Sequence, residues 1–551
     1  MDKVPKVFIS YAREDAAIAQ RIHADLKAVG VEPWLDTEVL LPGQKWSQEV
    51  AKAIHDCDFF LALLSKQALG KRGYVQKEFR EALEVLDEIP EGQIYLLPAR
   101  LDDCRPEHPK MKELHWVDLF PAYRPGFEKI LRVVRPPNMR PASVDNEADL
   151  ARRGWGVIFA ANADPAIREA LRPLLQLRRE QASHYDQRFY REFSGDTAYR
   201  TGDSYLQFLV QNGAGPGVPD PGRVPSYLLI VGSPETIPFE FQYDLGIQYR
   251  TGRIHFDNVE EYRNYAESIV SAEMRELSGP PRATFFGPRY EGEVAVKLAA
   301  SQLAAPLFES ARRAFPDWTL DNLAGGQATR HSLQALLKGE HRPDFIFALC
   351  HGLAFSANDH RQTGDQGALL CSDWPGVGTP ILREHYFSAE DVPEPVDLRG
   401  LQFILFAEYG AGTPCQDSFA LPLAGGAPPK TLAAQPFVSA LAKRLLGKPN
   451  GASALLAHID NAWATSFLWT GAGPQIQTFV NAVGDSLSGR PIGLAHRHFS
   501  ARYAELAATL SFKLAASDSS PELRDRWTAT MDARNYIVLG DPAARIPLAM
   551  A

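Results

Sequence analysis

The sequence predicts an α/β protein in two parts, a small parallel-sheet unit followed by a larger one. Short apolar runs of strand length recur along the chain, among them VFIS (7–10), FFLALLS (59–65), YLLIVG (227–232) and LQFILFA (401–407). Between them lie segments whose apolar residues repeat at helical spacing, and strands alternating with helices imply a parallel sheet with helices on both faces. A proline-rich polar stretch, VRPPNMRPASVDNE (134–147), interrupts this pattern once and predicts a linker over 136–150. At 551 residues the chain is too long for one ordinary core, which agrees with the division.

In the first part, residues 1–135, VFIS is followed by Ile18, Ile22 and Leu26 at i, i+4 spacing, a helix that stops at Gly30. VEPWLD (31–36) is a second strand, and LLPGQKW (40–46) is a turn-rich loop. A helix with Val50 and Ile54 inward leads to FFLALLS. YVQKEFREALEVL (74–86) then sets Val75, Phe79, Leu83 and Leu86 on one face, and IYLLPARL (94–101) and HWVDLF (115–120) complete five strands. In such sheets ligands sit outside the carboxyl ends of the strands.

The second part, 151–551, opens with the buried-type run WGVIFAA (155–161) and a helix over 164–180. A Gly/Pro loop, NGAGPGVPDPG (212–222), precedes YLLIVG. ATFFG (283–287), DFIFALC (344–350), LQFILFA and YIVLG (536–540) read as further strands, with helices near 434–446, 452–467, 476–487 and 497–514. Residues 151–340 are either a subdomain of their own or half of one larger domain.

Composition narrows the function classes. A net charge of −9 argues against nucleic acid as the main partner, since phosphate binding needs a basic face. The apolar runs are far shorter than the roughly 20 residues of a spanning helix, and MDKVPKVFIS enters a strand directly without a signal-peptide core. The expectation is a cytoplasmic protein with no membrane partner. Cys57, Cys104, Cys350, Cys371 and Cys415 form no CxxC pair, so neither a metal site nor a disulfide framework is expected. No GxxxxGK[ST], HExxH or strand-borne GxGxxG is present.

The segments VFISYAREDAAIAQRIHADL, PWLD, LLPGQKW, IHDCDFFLALLS and GYVQKEFREAL together resemble the Toll/interleukin-1 receptor (TIR) domain family over about residues 5–133. The resemblance implies a flavodoxin-like fold and one of two roles, interaction module or NAD hydrolase. The enzymatic members carry an aromatic-x-x-x-Glu pattern, matched here by Tyr74 and Glu78, with tyrosine where tryptophan is frequent. It implies Glu78 as the catalytic carboxylate, Tyr74 as a stacking residue, and Ser10, Tyr11 and Arg13 as a further wall of the site. Trp34, Asp36 and the Pro42–Gly43 turn belong to the loop that members use for access and self-association. NAD would be substrate, and no other cofactor is implied. Against this stands an ordinary reading: Lys77, Glu78, Arg80 and Glu81 as a solvated helix face.

ALCHG (348–352) and LFAEYGAGTPC (405–415) each end a buried run at reactive residues. Strand–His–Gly followed by strand–Ala–Cys–x–Gly is the arrangement of caspase-like proteases, and the region from about 150 resembles their bacterial CHAT-type relatives. DQGALLCSDWPG (365–376) and YIVLGDPAARI (536–546) add to that resemblance. Here Glu408 stands where the nucleophilic cysteine belongs, opposite His351. Three readings follow: a pseudoprotease kept as sensor or platform, a protease in which Cys415 replaces the nucleophile, and an active cysteine protease of which Glu408 is a variation or replacement at the catalytic cysteine. A carboxylate is a poor nucleophile toward a peptide bond, so His351 and Glu408 are expected to form a buried ion pair. The combined expectation is an NAD-cleaving effector of bacterial antiphage type under a caspase-like regulatory domain. The alternatives are a TIR adaptor without catalysis and a cysteine protease using Cys415 with His351.

Overall fold

Strand alternation organises the first unit, Met1–Asp145, of the computed structural model. The structure describes residues 5–28, 31–35, 46–70, 74–89, 94–105, 109–120, 123–134, 147–275, 279–339, 342–420, 428–515 and 521–548. Among them are β1 (Lys6–Ser10), α1 (Ala16–Ala28), β2 (Glu32–Trp34), α2 (Trp46–Asp56), β3 (Phe59–Leu64), α3 (Tyr74–Glu88), β4 (Leu96–Arg100), β5 (Val117–Asp118) and α4 (Tyr123–Val134). All the pairings are parallel, in the order β2-β1-β3-β4-β5.

Successive strand residues point to opposite faces, and each face acquires its own core. Val7, Ile9, Leu61 and Leu63 pack with Ile22 and Leu26 of α1 and Ile130 of α4. Phe8, Phe60, Ala62 and Leu64 pack with Val50 and Ile54 of α2 and Phe79 and Leu83 of α3. The helix faces read from the sequence are thus the buried ones at these positions. Of the linker expected over 136–150, residues 136–146 lie outside the described residues, and 147–150 are packed in the second unit, where Leu150 is buried.

The second unit, Asn146–Ala551, contains β6 (Trp155–Phe159), β7 (Tyr190–Phe193), β8 (Tyr227–Val231), β9 (Arg250–Ile254), β10 (Arg282–Gly287), α5 (Ala305–Ala314), β11 (Thr319–Ala324), β12 (Phe345–Leu349), β13 (Gln402–Phe406), β14 (Ala454–His458), α6 (Gln477–Leu487), α7 (Ile492–Ala515) and β15 (Tyr536–Gly540). These ten strands form one sheet, ordered β11-β10-β12-β13-β14-β15-β9-β8-β6-β7. Only β14 and β15 pair antiparallel. The sheet is therefore two parallel halves of opposite direction joined at that seam. Strands from 151–340 and from the rest share it, so 151–340 has no separate sheet.

A buried ionic knot closes the two halves. The Arg178 guanidinium, fully buried, meets Asp541 at 2.6 Å and Glu273 at 2.5 Å, while the Trp155 indole N–H donates to Asp541 at 2.9 Å. Burial works to lower the Arg178 pKa, and the two carboxylates outweigh it and raise it.

One expected helix is corrected. Residues 452–467 contain β14, ALLAH, fully buried between β13 and β15, followed by a single 3-10 turn at Ala464–Ser466. Ala and Leu favour helices in isolation, but a five-residue apolar run between two strands is captured by the sheet. The helix expected over 434–446 starts later, at Ala440. β7, β9 and β11 escaped the sequence pattern. β7 and β11 are edge strands with polar residues, and β9, RTGRI, contains Gly252, where a Cβ would meet the Gly540 carbonyl oxygen at 2.2 Å.

Candidate functional site

In the first unit, the carboxyl edge of the sheet brings β1 and α3 together. Ser10 ends β1 on the face covered by α3, and its hydroxyl donates to Glu78 Oε2 at 2.5 Å across 68 residues of sequence. Glu78 lies one turn into α3, beside the inward-facing Phe79, and its exposure is 7%. Glu78 is thus buried and does not belong to the solvated helix face of the ordinary reading. Its neighbour Phe79 faces Phe60 edge-on, so the helix register that buries Phe79 also turns Glu78 toward the sheet.

The adjacent strand end carries a second serine–carboxylate contact. Ser65, just past β3, donates to Asp15 Oδ2 at 2.6 Å and accepts from the Ala68 amide at 3.0 Å. It ties the 3-10 turn Arg13–Asp15 to β3. Arg13 itself is exposed. Tyr11 is half-buried and packs against the core of the α1 face. Trp34 stacks on Phe8 with ring centroids 4.7 Å apart and an interplanar angle of 15°. Tyr74 is the first residue of α3. Asp36, Pro42 and Gly43 lie outside the described residues. Of the expected site residues, the structure joins Ser10 to Glu78 directly.

In the second unit, β12 and β13 are neighbours with parallel register, so their carboxyl ends deliver His351 and Glu408 to one place. Glu408 Oε1 lies 3.2 Å from His351 Nδ1, and Glu408 Oε2 accepts the Gly352 amide at 2.7 Å. Gly352 is required here: a Cβ would stand 1.8 Å from the Glu408 carbonyl oxygen. On its other side, His351 Nε2 is 3.9 Å from Glu293 Oε1, and its ring stacks on Tyr290 at 5.9 Å. Burial lowers the His351 pKa, but the hydrogen bond and charge of Glu408, joined by Glu293, win and raise it above the ordinary imidazole value. The amide of Gly352 was not read from the sequence, although the His–Gly pair was the available signal.

Cys415 lies past this turn, its Sγ 3.9 Å from the Ala434 carbonyl oxygen. Burial, with Glu240 and Glu235 adding negative charge, raises its thiol pKa, the reverse of nucleophile activation. Cys350, buried just past β12, has a thiol pKa raised well above the ordinary value by the same desolvation. His458, His496 and His498 are bonded within the fold, to the backbone oxygens of Asp460 and Asp532, to that of Tyr536, and to the Asp485 carboxylate. Among the described residues no group of three His, Cys, Asp or Glu is arranged to hold a metal ion, and no helix is long and apolar enough to cross a membrane.

A five-stranded parallel sheet in the order β2-β1-β3-β4-β5 with helices on both faces defines the first unit as a doubly covered α/β domain. Its residues 7–131 match the TIR domain family, and the first unit is a TIR domain. Among solved structures, the TIR domain of the Toll-related receptor TRR-2 from Hydra magnipapillata is 17% identical, covering 24% of this chain and 98% of its own, with a TM-score of 0.20. The TIR domains of the activated Roq1 resistosome directly recognizing the pathogen effector XopQ are 17% identical, covering 23% of this chain and 98% of theirs, with a TM-score of 0.20. A structure described only as a protease is 12% identical over 72% of this chain and 78% of its own, with a TM-score of 0.41. No curated protein matches the chain.

Proposed function

We propose that the TIR domain hydrolyses NAD at the nicotinamide–ribose bond, with Glu78 as the catalytic carboxylate. The observation carrying this reading is the carboxylate of Glu78 fixed by Ser10 at the carboxyl edge of the parallel sheet. In the reaction the C1′–N bond breaks with its electron pair leaving on nicotinamide, which departs neutral and needs no general acid. Positive charge develops on the ribose, as in glycoside cleavage. A fixed anion that accepts hydrogen bonds from the ribose hydroxyls orients the sugar and stabilises that charge. Water adds at C1′ and releases a proton, giving ADP-ribose. Tyr74 opens the same helix and is assigned to stack on the leaving ring, with Arg13 toward the phosphates.

The caspase-like identity of the second unit and its loss of proteolysis belong to the same proposal. Glu408 occupies the nucleophile's place and is held by His351 and the Gly352 amide, and Cys415 has a raised pKa and a neighbour other than His351. The unit then acts as a regulator, and the chain as a bacterial antiphage-type effector whose TIR domains self-associate when triggered.

The burial of Glu78 favours one competing reading, a TIR adaptor that assembles without catalysis. Nicotinamide release by the full-length chain, at high concentration with and without a crowding agent, separates the two. The catalytic reading expects release that Glu78→Gln lowers by about 10²–10³-fold, the order for removing one charge-stabilising group from an active site. Release unchanged in Glu78→Gln overturns it.

A further inference from the structure

The carboxyl edge of the TIR sheet carries its serine–carboxylate pairs at two depths. β1 and β3 run side by side with Ser10 opposite Ala62. β3 continues two residues past that pairing, to Leu64, roughly 7 Å further out at the strand rise. Ser10 with Glu78 is therefore the inner pair, and Ser65 with Asp15 the outer one. Asp15 belongs to the 3-10 turn Arg13–Asp15, which leads from the end of β1 into α1.

Ser65 is 3% exposed and is held from several sides. Its hydroxyl accepts the Ala68 amide at 3.0 Å, its carbonyl accepts the Leu69 amide at 3.0 Å, and the next amide, Lys66, donates to Asp102 at 3.1 Å. A serine hydroxyl has one proton to donate, and here it goes to Asp15 Oδ2 at 2.6 Å. Asp15 stands directly before α1, where a carboxylate commonly accepts from the first amides of its own helix. Its Oδ2 reaches across to the end of β3. The turn itself is closed by backbone bonds, from the Asp15 amide to Ala12 and from the Ala16 amide to Arg13. Ala12 is buried and Arg13 exposed. Whatever anchors Asp15 therefore sets where Arg13 stands, two residues away in the same closed turn.

We propose that Ser65 is a positioning residue for the diphosphate of the substrate: by holding Asp15 it sets the turn from which Arg13 meets the phosphates. The inference rests on the NAD-cleaving reading and deepens it. The inner serine holds the carboxylate that faces the ribose, and the outer serine fixes the phosphate contact, so bond cleavage and diphosphate recognition depend on different hydroxyls. A guanidinium pairs with phosphate oxygens through a planar fork, and a fork misplaced by about 1 Å loses its partner geometry.

The test measures nicotinamide release from NAD by the full-length chain, at high concentration with a crowding agent, as KM and kcat separately. Ser65→Ala is expected to raise KM about tenfold or more and to leave kcat within about threefold of wild type. A merely structural role gives the opposite split, because a smaller folded fraction lowers kcat and leaves KM where it was. Asp15→Asn, whose amide oxygen still accepts the Ser65 proton, is expected to keep KM within about threefold of wild type, whereas Asp15→Ala raises it as Ser65→Ala does. In an Arg13→Ala chain, which has already lost the phosphate contact, Ser65→Ala is expected to raise KM no further. An unmoved KM in Ser65→Ala, a loss carried by kcat alone, or an equal rise with and without Arg13 overturns the positioning role and leaves the role of Glu78 standing. A wild-type chain that releases no nicotinamide, or a Glu78→Gln chain that releases it as fast as wild type, removes the NAD-cleaving reading and this proposal with it.

Discussion

Replacing Ser10 by alanine tests whether the contact that fixes Glu78 is structural, catalytic or both. The substitution deletes one methyl-sized hydroxyl at a position 1% exposed, and no new group is introduced. What is lost is a 2.5 Å donor to the Glu78 carboxylate. A hydrogen bond to a charged group contributes about 1.5–3 kcal/mol, and a buried acceptor deprived of it keeps its desolvation cost. For a domain of this size that corresponds to a drop in melting midpoint of about 6–12 °C, measured by calorimetry on the full-length chain as the transition of the TIR unit. Glu78→Gln separates the roles, because the amide oxygen still accepts from Ser10 while the charge is gone. It should cost less stability than Ser10→Ala and far more nicotinamide release. If Ser10→Ala shifts no transition, Ser10 does not hold Glu78, and the fixed anion on which the catalytic reading depends is lost.

Three further outcomes follow from the second unit. The raised His351 pKa means that protonated His351 stabilises the fold fully below the unfolded imidazole value of about 6.5, and this contribution is lost as pH rises through the folded pKa. The difference in melting midpoint between wild type and Glu408→Gln should therefore shrink from pH 6 to pH 8; a constant difference refutes the pair. Arg178→Leu leaves Asp541 and Glu273 buried without their cation and should destabilise the unit by about 3–5 kcal/mol, measured by denaturant unfolding, with Asp541→Asn in the same chain recovering part of the loss. Gly352→Ala forces the Glu408 backbone to move and should cost about 1–3 kcal/mol, the range of overpacking; an unchanged midpoint contradicts the close approach at that turn.

The parts of the molecule legible in the sequence are those governed by local pattern. Val50, Ile54, Phe79 and Leu83 announce their faces by spacing, and all four are buried. Runs such as FIFAL and QFILF announce strands buried on both faces. Where local preference and context disagree, the pattern fails. ALLAH has the composition of a helix and the position of a central strand, and position decides. Long-range polar pairs leave no local trace at all: Arg178 and Asp541 lie 363 residues apart, and Asp541 read as part of a family block rather than as the anchor of a buried cation. The sequence points to Ser10 and Glu78 separately, yet their hydrogen bond, and the burial it entails, depends on strand direction and helix register together.

The same distinction bears on what a carboxylate does in each unit. Glu78 accepts a hydrogen bond from the Ser10 hydroxyl at the carboxyl edge of the sheet, the edge where ligands enter α/β folds. Glu408 accepts from a backbone amide and faces an imidazole that is raised in pKa by its presence. Both oxygens of Glu408 are thereby engaged within the second unit. The proposed role of Glu78 is to accept from the ribose hydroxyls beside Ser10 as positive charge develops on the sugar. The proposed catalytic role therefore rests on Glu78, and a Glu78→Gln chain that releases nicotinamide as fast as wild type refutes it.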